Sequence, residues 1–288
     1  MLLLIRPKFF ATNTQALTTN TFMNGEGEDV EARALDEHNG LIEILIKHNI
    51  HTIIYENENP ETPDALFANN WITFHLPQKK CLIYPMYLEN RRKEVRLDIV
   101  QYICQLYPEL KLHDLRCQPK KALEGTGSMV FDHQNCIIYA AISKRTNEHL
   151  LRQVSELLNY KIVSFYTEYK NCPIYHTNVM MAIGKTWIVV CTNVIDHDDM
   201  RDVIKSILLS GKQMVEISTT QMESFCGNIL EVYSRDGIAY TVMSEKAKNA
   251  FRKDQLDILG NILAVPFDTI ETYGGGGVRC CLTEIKIE

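Results

Sequence analysis

The sequence predicts an α/β protein built from repeated strand-rich units, each with a helix. Five stretches with helical apolar spacing start at positions 29, 90, 146, 199 and 246, intervals of 61, 56, 53 and 47 residues. Between them lie short runs rich in β-branched and aromatic residues, two or three to an interval. A period near 50 residues marks a repeated supersecondary unit. No Pro/Gly/Ser-rich linker divides the chain, so residues 1–288 are read as one domain. An ordinary α/β sheet with evenly spread helices is the alternative.

Taken in order, residues 1–5 read as a first buried strand. Residues 29–48 carry Val30, Ala34, Leu41, Ile44 and Leu45 on one helical face, although Gly40 interrupts the pattern. Strand-like runs follow at 53–55, 71–74 and 81–84. Residues 90–107 place Val95, Ile99, Tyr102, Ile103 and Leu106 at three- and four-residue steps. Runs at 129–131 and 137–141 precede a helix at 146–160, with Leu150, Leu151, Val154, Leu157 and Leu158 on its apolar side. Runs at 162–166, 179–183 and 187–191 lead to a helix at 199–210. Runs at 214–217, 229–232 and 239–243 lead to a helix at 246–259. Runs at 262–265 and 279–287 end the chain.

Thirty Lys+Arg against 36 Asp+Glu give a net charge of −6 and a pI of 5.9. That balance argues against nucleic-acid binding through a basic surface, which needs clustered cations. Hydrophobic residues are 45% and charged residues 23%, the composition of a packed globular protein. No apolar run approaches the roughly 18 residues that span a bilayer. The opening Met1-Leu2-Leu3-Leu4-Ile5 meets Arg6 and Pro7 at once, too short for a secretory core and without a cleavage site. The nine cysteines form no CxxC pair and no even framework. These features point to a cytoplasmic protein with neither membrane nor nucleic acid as partner. Cys81, Cys104, Cys136 and Cys191 lie in apolar segments and are expected as small buried hydrophobes.

Candidate chemistry sits in a few segments. Gly274-Gly275-Gly276-Gly277-Val278-Arg279-Cys280-Cys281 lets the backbone approach a ligand closely and ends on a potential thiolate nucleophile. The same residues also describe a glycine-rich hairpin entering a buried strand. Tyr175-His176-Thr177-Asn178 begins an apolar run, where strand alternation would aim His176 and Asn178 to one face. Leu123-Glu124-Gly125-Thr126-Gly127-Ser128 carries a carboxylate in a glycine-rich turn, either solvated or aimed at the histidine. Phe67-Ala68-Asn69-Asn70-Trp71 holds two amides ahead of a strand. His197-Asp198-Asp199 reads as a helix N-terminus. Asn90-Arg91-Arg92-Lys93 and Arg145 are solvated cations unless a pocket takes them. There is no HExxH, GxGxxG after a strand, or P-loop, so metal and nucleotide readings have no positive support.

In this order the segments resemble the amidinotransferase and arginine deiminase superfamily, the penteins. The resemblance runs over most of the chain, through Phe67–Trp71, the Met86-Tyr87-Leu88-Glu89-Asn90-Arg91-Arg92 segment, Leu123–Gly127, Ser143-Lys144-Arg145-Thr146, Tyr175–Asn178 and Gly276–Cys280. It implies a five-bladed, pseudo-symmetric α/β propeller with the site in a central channel. It also implies roles: Cys280 as nucleophile, His176 as acid and base, Glu124 holding the attacked group and the histidine. Arg145 and one of Arg91 or Arg92 would clamp an α-carboxylate. The resemblance implies no metal and no organic cofactor. Cys280 rather than Cys281 matches the family nucleophile, and alternation would turn Cys281 to the opposite face.

One departure bears on the substrate. Arginine deiminases bracket the cationic guanidinium with two aspartates, and the matching positions here are Asn70 and Asn178. Neutral amides suit a neutral ureido group. The segments resemble most the citrulline hydrolase branch, which implies hydrolysis of L-citrulline to ornithine, ammonia and carbon dioxide. Deiminase or amidinotransferase action on arginine or another guanidino compound is the enzyme alternative. A catalytically silent pentein that only binds a partner is the alternative from another class. A homodimer is the one protein partner the sequence leaves open.

Overall fold

A computed structural model describes residues 1–25, 27–117 and 121–285. One pattern repeats through it: a middle strand pairs antiparallel with a leading strand and parallel with a third, and helix joins the middle strand to the third. The first unit has β1 (Leu2–Arg6), α1 (Val30–Lys47) and β2 (Thr52–Glu56). The second has β3 (Ile72–His75), β4 (Lys80–Ile83), α2 (Leu97–Leu106) and β5 (Lys111–Asp114). The turn α3 (Gly125–Ser128) leads into the third, β6 (Val130–Asp132), β7 (Ile137–Ala141), α4 (Glu148–Leu158) and β8 (Lys161–Phe165). The turn α5 (Thr177–Met180) leads into β9 (Met181–Ile183), β10 (Trp187–Val190), α6 (His197–Leu209) and β11 (Gln213–Glu216). The fifth unit follows α7 (Thr219–Glu223), with β12 (Leu230–Tyr233), β13 (Ala239–Ser244), α8 (Glu245–Ala250), α9 (Lys253–Leu259) and β14 (Ile262–Val265). Finally β15 (Thr283–Glu284) returns to β1 as the first unit's antiparallel leading strand.

Five three-stranded sheets result, which answers the repeat expected from helix spacing. The leading strands are neighbours. β6 lies beside β9 and β9 beside β12, while β15 lies beside β3 through a bridge from Phe74 to Ile285. The helices bury their apolar sides against the sheets, as Leu41 and Leu45 of α1 and Leu150 and Val154 of α4 illustrate. Local caps agree with the sequence. Asn147 accepts from the first-turn amides of α4, and Asp196 caps α6, with Asp198 and Asp199 in its first turn as expected.

Several expected elements come out differently. Gly40 does not interrupt α1, which runs unbroken. The expected helix at 90–107 is a 3₁₀ turn, Asn90–Glu94, followed by α2, because the chain extends at Val95 and Arg96. The helix at 246–259 breaks where buried Phe251 extends and the Gln255 side chain caps the Arg252 amide. β5 was missed because its residues are mostly exposed and polar, and only β4 gives it a register. Cys136 is not a buried hydrophobe; it is exposed in the β6–β7 turn at positive φ. The expected strand at 279–287 is a 3₁₀ turn, Val278–Cys281, and then β15; positions 286–287 lie outside the described residues. Among the described residues no helix is long and apolar enough to cross a membrane.

Candidate active site

The turns ahead of the leading strands build one cleft, lined by Asp64, Asn70, Arg91, Arg145, His176 and Cys280 among others. Each turn exists for a local reason. Ala68–Asn70 is a 3₁₀ turn ahead of β3, closed by Phe67 and Ala68 carbonyls accepting from the Asn70 and Trp71 amides. Glu124 stands at the start of α3, where Gly125 takes a left-handed φ of +43° and a Cβ would strike the Asn69 carbonyl at 2.2 Å. Gly127 leaves room for the Asn70 amide and the His176 ring, both of which a Cβ would strike.

His176 and Asn178 are brought together by a turn and not by strand alternation. His176 is extended at the start of α5, and Asn178 lies within that turn. The β-branched run suggested a strand, but Thr177 Oγ1 donates to the Ser128 carbonyl (2.6 Å) and accepts from the Ala141 amide (2.8 Å). These tertiary bonds override local propensity. Cys280 also leaves the expected strand. In the 3₁₀ turn its amide bonds the Gly277 carbonyl (3.1 Å), and successive side chains diverge by about 120°. Cys280 therefore lines the cleft, while Cys281 is fully buried in the apolar cluster with Leu282 and Val278. Burial pushes both thiols up, Cys281 the more strongly; at Cys280 the Asn228 and Asn178 amides, Arg279 and Arg91 oppose the rise.

Glu124 is the electrostatic centre. Its Oε1 accepts from the Tyr87 amide (2.9 Å), and its Oε2 meets His176 Nε2 at 2.7 Å, Arg145 at 3.4 Å and Arg91 at 3.8 Å. Burial alone would raise its pKa, but Arg145, the His176 bond and Arg91 hold the carboxyl well below the usual range. His176 is lowered as well, to about 4, because burial outweighs the help of Glu124. The pair is thus an ionised carboxylate and a neutral ring whose Nε2–H donates, which leaves Nδ1 as the unprotonated nitrogen.

Both named arginines of the cleft are buried rather than solvated. Arg91 grips Glu94 through Nε (2.8 Å) and Nη2 (3.0 Å) and donates to Asn70 Oδ1 at 3.0 Å. Arg145 donates to Thr19 Oγ1 (2.8 Å) and lies 5.0 Å from the centre of the Tyr175 ring. Arg92 does not join them. It is exposed, with its guanidinium spent on the Met86 and Tyr87 carbonyls, because the 3₁₀ turn at 90–94 points neighbouring side chains apart. Asn178 Nδ2 stands 3.6 Å from Cys280 Sγ.

Three groups escaped sequence reasoning. Asp64 is buried, takes an Asn13 bond at 2.7 Å and keeps Oδ1 unpartnered; its place three residues before Phe67 was the available signal. Burial raises its pKa against the pull of Arg91. The loop ahead of α1 covers the cleft, with Ala16 and Asn20 in its lining and Asn20 Nδ2 donating to the Gly275 carbonyl (3.2 Å). Asn228 lies 3.2 Å from Cys280 Sγ. Among the described residues no group of three or more His, Cys, Asp or Glu is placed to hold a metal ion.

Five repeated sheets and a Cys–His–Glu cleft between their turns define a class: the chain is a pentein of the amidinotransferase and arginine deiminase superfamily. Within it, the family model described as eukaryotic N,N-dimethylarginine dimethylhydrolase matches residues 6–287, and the chain belongs to that family. No curated protein sequence matches the chain. Among solved structures it is similar to ArgZ, described as an arginine dihydrolase from the ornithine–ammonia cycle in cyanobacteria, with 14% identity and a TM-score of 0.80 over 100% of this chain and 40% of that one. It is also similar to AgrE, solved with ornithine and NAD⁺, with 16% identity and a TM-score of 0.78 over 100% of this chain and 39% of that one. A dimethylarginine dimethylaminohydrolase adduct with 4-chloro-2-hydroxymethylpyridine matches with 15% identity and a TM-score of 0.70 over 98% of both chains. At such identities the likeness is one of fold, and the chain spans only about two fifths of the full ArgZ and AgrE chains.

Proposed function

We propose that the protein is a cysteine-dependent hydrolase of C–N bonds in a ureido or guanidino amino acid, and that its substrate is L-citrulline. Residues 1–288 then act as a single catalytic domain whose five units close on themselves as a five-bladed propeller. The contacts of β15 with β3, β6 with β9 and β9 with β12 support that closure.

The observation that carries the substrate is the Asn70 amide. Arginine only donates, so the Asn70 oxygen must face Arg91, 3.0 Å away. That leaves Asn70 Nδ2 as a buried donor without a protein partner. A ureido carbonyl accepts from such a donor, whereas a guanidinium, which carries only N–H groups, meets it donor to donor. Asn178 beside the sulfur is likewise neutral. Two further orphaned atoms in the cleft suit an α-amino-acid head: Arg145 Nε is a donor for the carboxylate, and Asp64 Oδ1 an acceptor for the α-ammonium. Arg91, bound to Glu94 and Asn70, serves to orient the amide.

The chemistry follows from these positions. His176 Nδ1 takes the proton of the Cys280 thiol, the sulfur attacks the ureido carbon, and the histidine hands that proton to the departing amine as the C–N bond breaks. A thiocarbamate remains on Cys280. His176 then takes a proton from water, which attacks the same carbon, and returns it to the Cys280 sulfur as the C–S bond breaks. The released carbamate loses carbon dioxide, so citrulline and water give ornithine, ammonia and carbon dioxide. The covalent step is supported by ArgZ, whose N-terminal domain has been solved covalently bonded to a reaction intermediate.

The family description favours a second reading, in which the same Cys280, His176 and Glu124 act on arginine or its N-methylated forms. Ammonia and amine release from citrulline, arginine and dimethylarginine separates the two. Citrulline is expected to turn over fastest; faster turnover of either guanidine refutes the neutral-pocket argument.

A further inference from the structure

Four units send a residue into the cleft from the turn beside their leading strand: Asn70 at β3, Glu124 at β6, His176 and Asn178 at β9, Cys280 at β15. The fifth unit has the same position, and Asn228 fills it, two residues ahead of β12. It is 1% exposed and its amide is fully engaged. Nδ2 donates to Cys280 Sγ at 3.2 Å and to the Asn178 carbonyl at 2.8 Å, while Oδ1 accepts from the Cys280 amide at 3.4 Å. The preceding Gly227 permits this approach, since a Cβ there would stand 2.3 Å from the Val179 carbonyl oxygen.

The orientation of this amide is fixed. Its oxygen is claimed by a backbone N–H and its nitrogen by a backbone carbonyl, so an N–H must face the sulfur. His176 Nε2 is committed to Glu124, and the Asn178 and Asn228 amides are the side chains whose N–H groups reach Sγ among the described residues. The other charged or titratable groups acting on the sulfur are Arg279, Arg91, Tyr175 and Cys281. A neutral ureido substrate brings no cation to stabilise the thiolate, which leaves that task to these fixed donors. An N–H bonded to sulfur is stronger when the sulfur is ionised, and so favours the thiolate.

We propose that Asn228 is a positioning residue of the reaction, which holds the Cys280 sulfur at the point of attack and favours its ionised form. The inference rests on Cys280 as nucleophile. Asn228→Asp keeps the shape and the acceptor for the Cys280 amide but sets a carboxylate oxygen against the sulfur. Asn228→Ser is smaller and can donate to one partner only. The measurement is the rate of iodoacetamide alkylation at Cys280 against pH, read by mass spectrometry, together with kcat and KM. The alkylation midpoint is expected to rise by roughly one unit in Asn228→Asp, a tenfold loss of thiolate at fixed pH, and by less in Asn228→Ser. kcat is expected to fall about tenfold or more in Asn228→Asp while KM stays within about threefold. If Asn228→Asp does not fold, Asn228→Ser carries the test alone. A folded variant with the parent's alkylation profile and kcat overturns the proposal. Turnover retained by Cys280→Ala would instead refute the nucleophile, a separate result, because alkylation reads the sulfur without any substrate.

Discussion

Replacing Glu124 by glutamine is expected to remove both activity and a large part of the stability. Glutamine can keep the Tyr87 amide bond through its oxygen. Its NH₂ group then stands where His176, Arg145 and Arg91 converge, at 2.7, 3.4 and 3.8 Å in the parent. Arg91 retains Glu94, but Arg145 is left with the Thr19 hydroxyl and the Tyr175 ring, a buried cation without a counter-charge. Breaking a buried pair from one side costs about 3–5 kcal/mol. Against a typical stability of about 5–15 kcal/mol, and at about 2–4 °C per kcal/mol for a chain of this size, Tm should fall by roughly 6–20 °C. Loss of the oriented base should lower kcat by about 10²–10⁴. The pH dependence has a definite sign. Glu124 has a depressed folded pKa, so its contribution is present above the unfolded value near 4.3 and is lost as pH falls. His176, lowered to about 4, stays neutral in the fold while the unfolded ring protonates near 6.5, so acidification across that window also favours unfolding. Thermal unfolding from pH 2 to 8 checks both contributions, and ammonia release at pH 7 checks the activity. A glutamine variant with the parent's Tm at pH 7, or with kcat within about threefold, would refute the reasoning.

Cys280→Ala should abolish turnover with the fold intact, while Cys281→Ala should keep most activity and lose some stability through a small core cavity; turnover assays with thermal melts decide, and a reversed pattern overturns the assignment. Arg145→Ala should raise KM strongly and Arg145→Lys should restore it only in part, since a point charge lacks the guanidinium fork. Arg92→Ala, which loses only bonds to two carbonyls, should leave KM within about twofold, and steady-state kinetics on the three variants tests the contrast. Changing Asn70 and Asn178 together to Asp should raise the arginine-to-citrulline ratio of kcat/KM, because specificity is a difference of affinities. An unchanged ratio would show that these amides do not read substrate charge.

Much of this arrangement was legible in the sequence because repeats and glycine-rich turns are local signals. Helix spacing announced the five units, and Leu123–Gly127 and Gly274–Gly277 marked backbone that approaches the cleft closely. What stayed hidden depends on tertiary bonds. No local pattern shows that Thr177 will tie a β-branched run into a turn, or that Arg91 rather than Arg92 turns inward. Asp64 and Asn228 look like ordinary loop residues until burial and neighbours give them work. Asn228 had a weak signal all the same: it holds in the fifth unit the position from which the other four send a side chain into the cleft.

The return of β15 to β1 ties the chemistry to one weak seam. Among the described residues Leu2 pairs with Glu284 and Leu3 with Thr283 across it, helped by the Ile285 amide on the Met1 carbonyl (2.9 Å). The sulfur is three residues upstream of that strand. Ladders of few pairs open at lower free energy than the rest of a domain. Opening here would carry Cys280 away from Asn228 and Asn178 while the other four sheets stay formed. Inactivation on heating or in denaturant should therefore run ahead of the optical melting curve, and loss of turnover becomes a gauge of how firmly one strand is docked.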